Sequence, residues 1–154
     1  MVLAGSILIA TVAIAQPSEL EPFETWSAKR PNWTNDASDV SYFAMRCGAL
    51  YGVVATAFKN ASNASAENYS QASDLTTRSL QLNLVGFAFG SEAGWKQEVM
   101  KERLSYLYGE YVKVISSNRT KHNNMFHGFI ELDWGFCIRY EKQLRAEANA
   151  ILKR

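Results

Sequence analysis

Apolar residues recur along most of this chain at intervals of three and four, the period of a helix with one buried face. The most apolar stretch runs from Val40 to Phe58 and holds a single charge, Arg46. Within it Val40, Phe43, Cys47, Leu50 and Val54 share one face. A second stripe of small residues (Ala44, Gly48, Gly52, Thr56) offers a neighbouring helix a close approach. Asp36 and Ser38 stand before it as capping residues. A second helix is expected to begin near Ser65, with Ala72, Leu75, Ser79, Leu82, Gly86 and Phe89 inward, and to stop at Gly90. Ser91 and Glu92 then restart a third helix, with Met100, Leu104, Leu107, Tyr111 and Val114 on its apolar face. The polar run Ser116–Asn124 is expected to end it. The last helix is expected from Met125 to Leu152, burying Phe126, Ile130, Asp133, Cys137, Tyr140 and Leu144.

Four such helices with short polar connections predict an all-α fold, a four-helix up-down-up-down bundle over residues 38–154. Strand-like alternation of useful length and internal repeats are not found. Residues 16–37 differ in composition. Pro17, Pro22 and Pro31 interrupt helix propagation, so an extended arm is expected, laid on the bundle and pinned by Trp26 and Trp33. Ahead of it, Val2–Ala15 is uncharged and apolar, and Ala13-Ile14-Ala15 has the small-x-small pattern of a signal-peptide cleavage site. Residues 1–15 therefore read as a signal peptide, which places the mature protein outside the cell or in the periplasm. No Lys or Arg precedes the run, and a retained N-terminal membrane anchor is the alternative.

Composition narrows the function classes without selecting one. The chain has 154 residues, 47% of them hydrophobic and 20% charged, as in an ordinary globular domain. Its formal charge of +1 gives no pull toward nucleic acid. The two cysteines, Cys47 and Cys137, fall on the inward faces of the first and last helices. In an exported protein they are expected to form one disulfide, with two separately buried thiols as the alternative. That pairing would bring Arg46 near Glu141, and Leu50 or Tyr51 near Asp133. Asp133 is the one acid on an apolar seam, and Tyr51 or a basic residue is the expected partner for its charge.

No metal-ligand spacing, haem-attachment motif, phosphate-binding glycine loop or nucleophile elbow is present, so no metal, cofactor or catalytic residue is assigned. His122 and His127, five apart, would lie on different sides of a helix and read as exposed turn residues. Asn32, Asn60, Asn63, Asn68 and Asn118 each begin an Asn-x-Ser/Thr triplet, where the chain's ten asparagines would give one or two by chance. In a eukaryotic secretory pathway these mark glycosylated surface positions. In a bacterial or phage protein they are polar-loop composition, the reading favoured by the Asn- and Ser-rich run from Asn60 to Ser70.

The functional expectation is a non-enzymatic binding or accessory protein for a protein partner or a small apolar ligand. Its expected surface is Trp26 and Trp33 beside the small-residue faces at Gly48 and Gly52. Two alternatives stand beside it. One is a small enzyme using Asp133, Arg46 and nearby tyrosines in a bundle cleft, in place of the buried polar cluster otherwise expected of Arg46, Tyr51, Asp133 and Glu141. The other is a membrane-anchored protein that keeps Val2–Ala15.

Overall fold

The computed structural model describes residues 20–152, with side chains through residue 146. Residues 1–15, read from the sequence as a signal peptide, lie outside the described residues. Among them the fold is all-helical: α1 (Phe23–Ala28), a 3-10 turn (Trp33–Asn35), α2 (Ala37–Lys59), α3 (Ala66–Glu92), α4 (Gln97–His122) and α5 (Phe129–Leu152). Asp36 caps α2 by accepting the Asp39 N–H at 3.0 Å. Ser65 and Asn68 cap each other reciprocally at the start of α3.

The arm is not extended throughout. Pro22 sits at the N-cap of α1, where its fixed φ suits a helix start and its missing N–H costs nothing. Gly90 does not end α3. A Cβ there would meet Met100 of α4 and the Ser41 hydroxyl of α2, so the glycine serves a close approach. The chain turns later, at Gly94, whose φ of +79° suits glycine. α4 also continues past Ser116, because Ile115 and Asn118 keep an inward face while Ser116, Arg119 and Thr120 face solvent. It ends where Asn123 adopts the left-handed conformation. Met125–Gly128, expected inside the last helix, is instead the α4–α5 turn. The Asn118 side-chain amide donates there to the carbonyls of Met125 and His127.

Side-chain pairings set the helix directions. Gly48 of α2 faces Ser79 and Asn83 of α3, while Gly86 of α3 faces Ser41 and Met45, so the two helices are antiparallel. Tyr42 lies beside Arg103 and Gly52 beside Tyr108, so α4 runs with α2. Arg78 meets Glu141 and Gln81 meets Arg145, so α5 runs with α3. The up-down-up-down arrangement results. Its tightest contact is between α2 and α3, where the expected small-residue stripe is used. The Ser41 hydroxyl donates to the Gly86 carbonyl at 2.6 Å, and the Ser79 hydroxyl donates to the Gly48 carbonyl at 2.7 Å. Each helix thus presents a serine and, seven positions on, a glycine, and the two pairs answer each other about a local two-fold axis. α2 is enclosed from Val40 to Ala55 almost without interruption, which makes it the centre of the bundle.

The arm closes one side of this core. Phe23, Trp26 and Trp33 are buried and form a ring cluster with Phe43 of α2 and with Phe136 and Tyr140 of α5. Such rings carry large apolar areas, and offset or edge-on pairs add about 0.5–1.5 kcal/mol each. Cys47 and Cys137 are bonded, joining α2 to α5 with a Cα–Cα distance of 5.6 Å.

Candidate functional site

The polar residues singled out in the sequence form two buried networks. In the first, Asp133 of α5 accepts from three donors. The Phe23 N–H reaches Oδ1 at 2.9 Å, and the Tyr111 hydroxyl and an Arg46 Nη2 hydrogen reach Oδ2 at 2.6 and 2.5 Å. Arg46 also donates from Nε to the Tyr111 hydroxyl at 3.0 Å and from Nη2 to the Glu21 carbonyl at 2.6 Å. Its guanidinium lies over the Phe23 ring, 4.1 Å from the centroid. Arg46, Tyr111 and Asp133 have no solvent exposure.

Burial pushes the Asp133 carboxyl above the usual carboxylate range, while Arg46, the Tyr111 hydroxyl and the Phe23 N–H pull it back. Burial likewise raises the Tyr111 phenol well above its ordinary value. For Arg46, burial works against the charge, but Tyr111, Asp133 and Tyr42 together outweigh it, so the proton is held more firmly than usual. The arrangement is a clamp. Two backbone groups of the arm, Glu21 and Phe23, are tied through one ion pair to α2, α4 and α5.

The second network centres on Glu141, also buried. Its Oε2 accepts from the Tyr51 hydroxyl at 3.1 Å and from Arg78 at 3.2 Å, and its Oε1 accepts from Arg145 at 3.2 Å. Burial, then the Glu141 charge, raises the Tyr51 phenol. Asp133 thus has the basic partner expected for it, but the neighbours expected from the disulfide register are exchanged: Arg46 meets Asp133 rather than Glu141, and Tyr51 meets Glu141 rather than Asp133. Leu50 is a buried core residue. The axial register set by the disulfide is sound, since the Tyr51 ring does lie against Trp134, 5.0 Å between centroids. What decides the partners is azimuth. Arg46 lies on the side of α2 that faces α4, where Tyr111 waits, and Tyr51 on the side that faces α3, where Arg78 waits. The long side chains then reach partners that lie about one and a half and two turns along α5 from the positions the disulfide register puts opposite them.

The expected binding surface is placed inside the fold instead. Trp26 and Trp33 are 4% and 6% exposed within the aromatic cluster. Gly48 is covered by α3, and Gly52 lies beneath Tyr108 of α4. The small faces fit the chain's own helices, which use them up. An open apolar feature is found elsewhere: a groove of about 80 Å³ walled by Trp33, Val40, Phe89, Tyr140 and Leu144, with the polar Thr34 and Gln143 also lining it. Sequence reasoning assigned most of these residues to core faces and so missed the groove. It also missed Tyr111, read as one more apolar position. The signal was there, because a buried tyrosine needs a partner for its hydroxyl.

His122 and His127 do not sit on opposite sides of one helix. α4 ends at His122, and the turn brings His127 back so that the exposed rings stack 3.8 Å apart. Among the described residues no group of three or more His, Cys, Asp or Glu side chains is gathered as a metal site, and no helix is long and apolar enough to cross a membrane. No protein family, curated protein or solved structure matches this chain.

Proposed function

We propose that the chain is an exported, non-enzymatic accessory protein that takes one apolar side chain of a protein partner into the groove between the 3-10 turn, α2, α3 and α5. The observation that carries this reading is the size and lining of that groove. At about 80 Å³ it is well below the roughly 300–1,000 Å³ of pockets that enclose a whole small ligand, and it suits a single aliphatic or aromatic side chain. Its walls belong to elements fixed by the aromatic cluster and the disulfide, so little ordering is needed on binding, which favours affinity. The disulfide supports an oxidising compartment, in line with the signal-peptide pattern of Val2–Ala15. The clamp supports a structural role for Asp133, because all its neighbours are protein donors and none of its surface is open to a substrate.

Photo-crosslinking residues placed at Thr34 and Gln143 test the reading against the same residue at Ser105, an exposed position on α4. The expected outcome is one discrete partner adduct from the two groove positions and none from Ser105. Gln143→Arg should then weaken binding of that partner about tenfold at unchanged thermal midpoint. Equal labelling from all three positions, or full affinity in Gln143→Arg, refutes the groove as the binding site.

A further inference from the structure

The five Asn-x-Ser/Thr triplets differ in whether the asparagine Nδ2 and the hydroxyl two residues on are free. Asn118 is buried, and its Nδ2 is committed to the carbonyls of Met125 and His127 at 3.2 and 2.9 Å. Asn68 is inside the first turn of α3, and its Oδ1 accepts from the Ser65 N–H and hydroxyl. Ser65 is itself the hydroxyl residue of the Asn63 triplet, so the α3 cap occupies that triplet too. At Asn32 the asparagine and Thr34 are exposed and free as well, but the residue between them, Trp33, is locked in the core and holds the triplet in the 3-10 turn.

The triplet Asn60-Ala61-Ser62 combines free asparagine and hydroxyl side chains with a middle residue that lies outside the core. Asn60 follows the last residue of α2 and opens the connector to α3. Asn60 and Ser62 are both exposed, and neither side chain enters a hydrogen bond among the described residues. Asn60 lies twenty residues along α2 from Val40, roughly 30 Å at the helical rise, so a bulky group there leaves the groove clear.

We propose that Asn60 is an N-linked glycosylation site. This rests on the export reading and on its eukaryotic form, the other of the two readings of the triplets given above, because the modification belongs to a eukaryotic secretory pathway. In the reaction the Asn60 Nδ2 forms a bond to the sugar C1 of a lipid-diphosphate-linked oligosaccharide. The C1–O bond breaks, the lipid diphosphate leaves with the electron pair, and the amide gives up one proton. Nothing is oxidised or reduced.

The test is expression of the full chain, with its own N-terminal segment, in a eukaryotic secretory cell. N-terminal sequencing of the secreted chain reads export, and peptide mass spectrometry with glycosidase treatment reads Asn60. A glycan is expected on Asn60, lost in Asn60→Gln and in Ser62→Ala, and retained in Ser62→Thr, which restores the hydroxyl. Asn118 is expected unmodified in the folded, secreted pool, because a glycan would displace its two backbone bonds. A secreted, processed chain with Asn60 empty overturns the proposal while leaving export intact, as does a glycan that survives Ser62→Ala. A chain retained in the cell with its N-terminus uncleaved overturns both.

Discussion

Arg46 and Asp133 have exchanged bulk water for each other, two tyrosine hydroxyls and two backbone groups of the arm. A buried pair of this kind adds little over well-packed apolar residues, but removing one member strands the other. Asp133→Ala and Arg46→Ala are each expected to lower the unfolding free energy by about 3–5 kcal/mol. The double variant should fall short of the sum by about 1–3 kcal/mol. Urea unfolding of the four proteins measures this, and additive losses would show that the clamp is not a unit. The two buried phenols give a pH dependence. Tyr51 and Tyr111 have raised values in the folded protein, so above about pH 10 the unfolded chain loses protons that the folded one keeps. Unfolding then becomes easier as pH rises, and the stability these groups carry below that pH is lost. Stability is expected to fall above about pH 10, less steeply in Tyr51→Phe, as unfolding curves across that range would reveal.

At the scale of the helices, the glycines separate into two kinds that the sequence does not distinguish. A Cβ on Gly48 would press into the Asn83 side chain and the Ser79 carbonyl, whereas one on Gly109 or Gly135 would meet nothing within 4 Å. Gly48→Ala is expected to cost about 1–3 kcal/mol through overpacking. Gly109→Ala and Gly135→Ala, both in exposed helix interiors, should each add roughly 0.5–1 kcal/mol by removing backbone freedom from the unfolded chain. Thermal midpoints moving in the same direction for all three would contradict the α2–α3 packing. The helix faces, the small-residue stripe and the disulfide were legible because a 3.6-residue period and a cysteine pair are one-dimensional signals. Helix ends were less so. Gly90 resembles a terminator until α4 is seen lying across it, and Ser116–His122 looks like a loop until Ile115 and Asn118 find their inward neighbours. The partners of Arg46 and Tyr51 needed the azimuth of α2 between α3 and α4, a property of the assembled bundle. The groove needed more still, since its walls come from four separate segments.

Among the described residues the molecule is a central α2 wrapped by three helices and an arm, with Phe23, Trp26 and Trp33 of the arm inside and an open groove beside them. The Cys47–Cys137 bond spans 90 positions of sequence with a Cα–Cα distance of 5.6 Å. A chain pulled by its two ends therefore has a short load path: tension enters along α2 as far as Cys47, crosses the sulfurs to Cys137, and leaves along α5. Everything between those residues, including α3 and α4, hangs from the path without bearing force. In a single-molecule extension experiment the oxidised protein should release only the arm and the outer parts of α2 and α5. Adding a reductant should expose a further length of about 300 Å, the extended span of the segment that the bond had shielded.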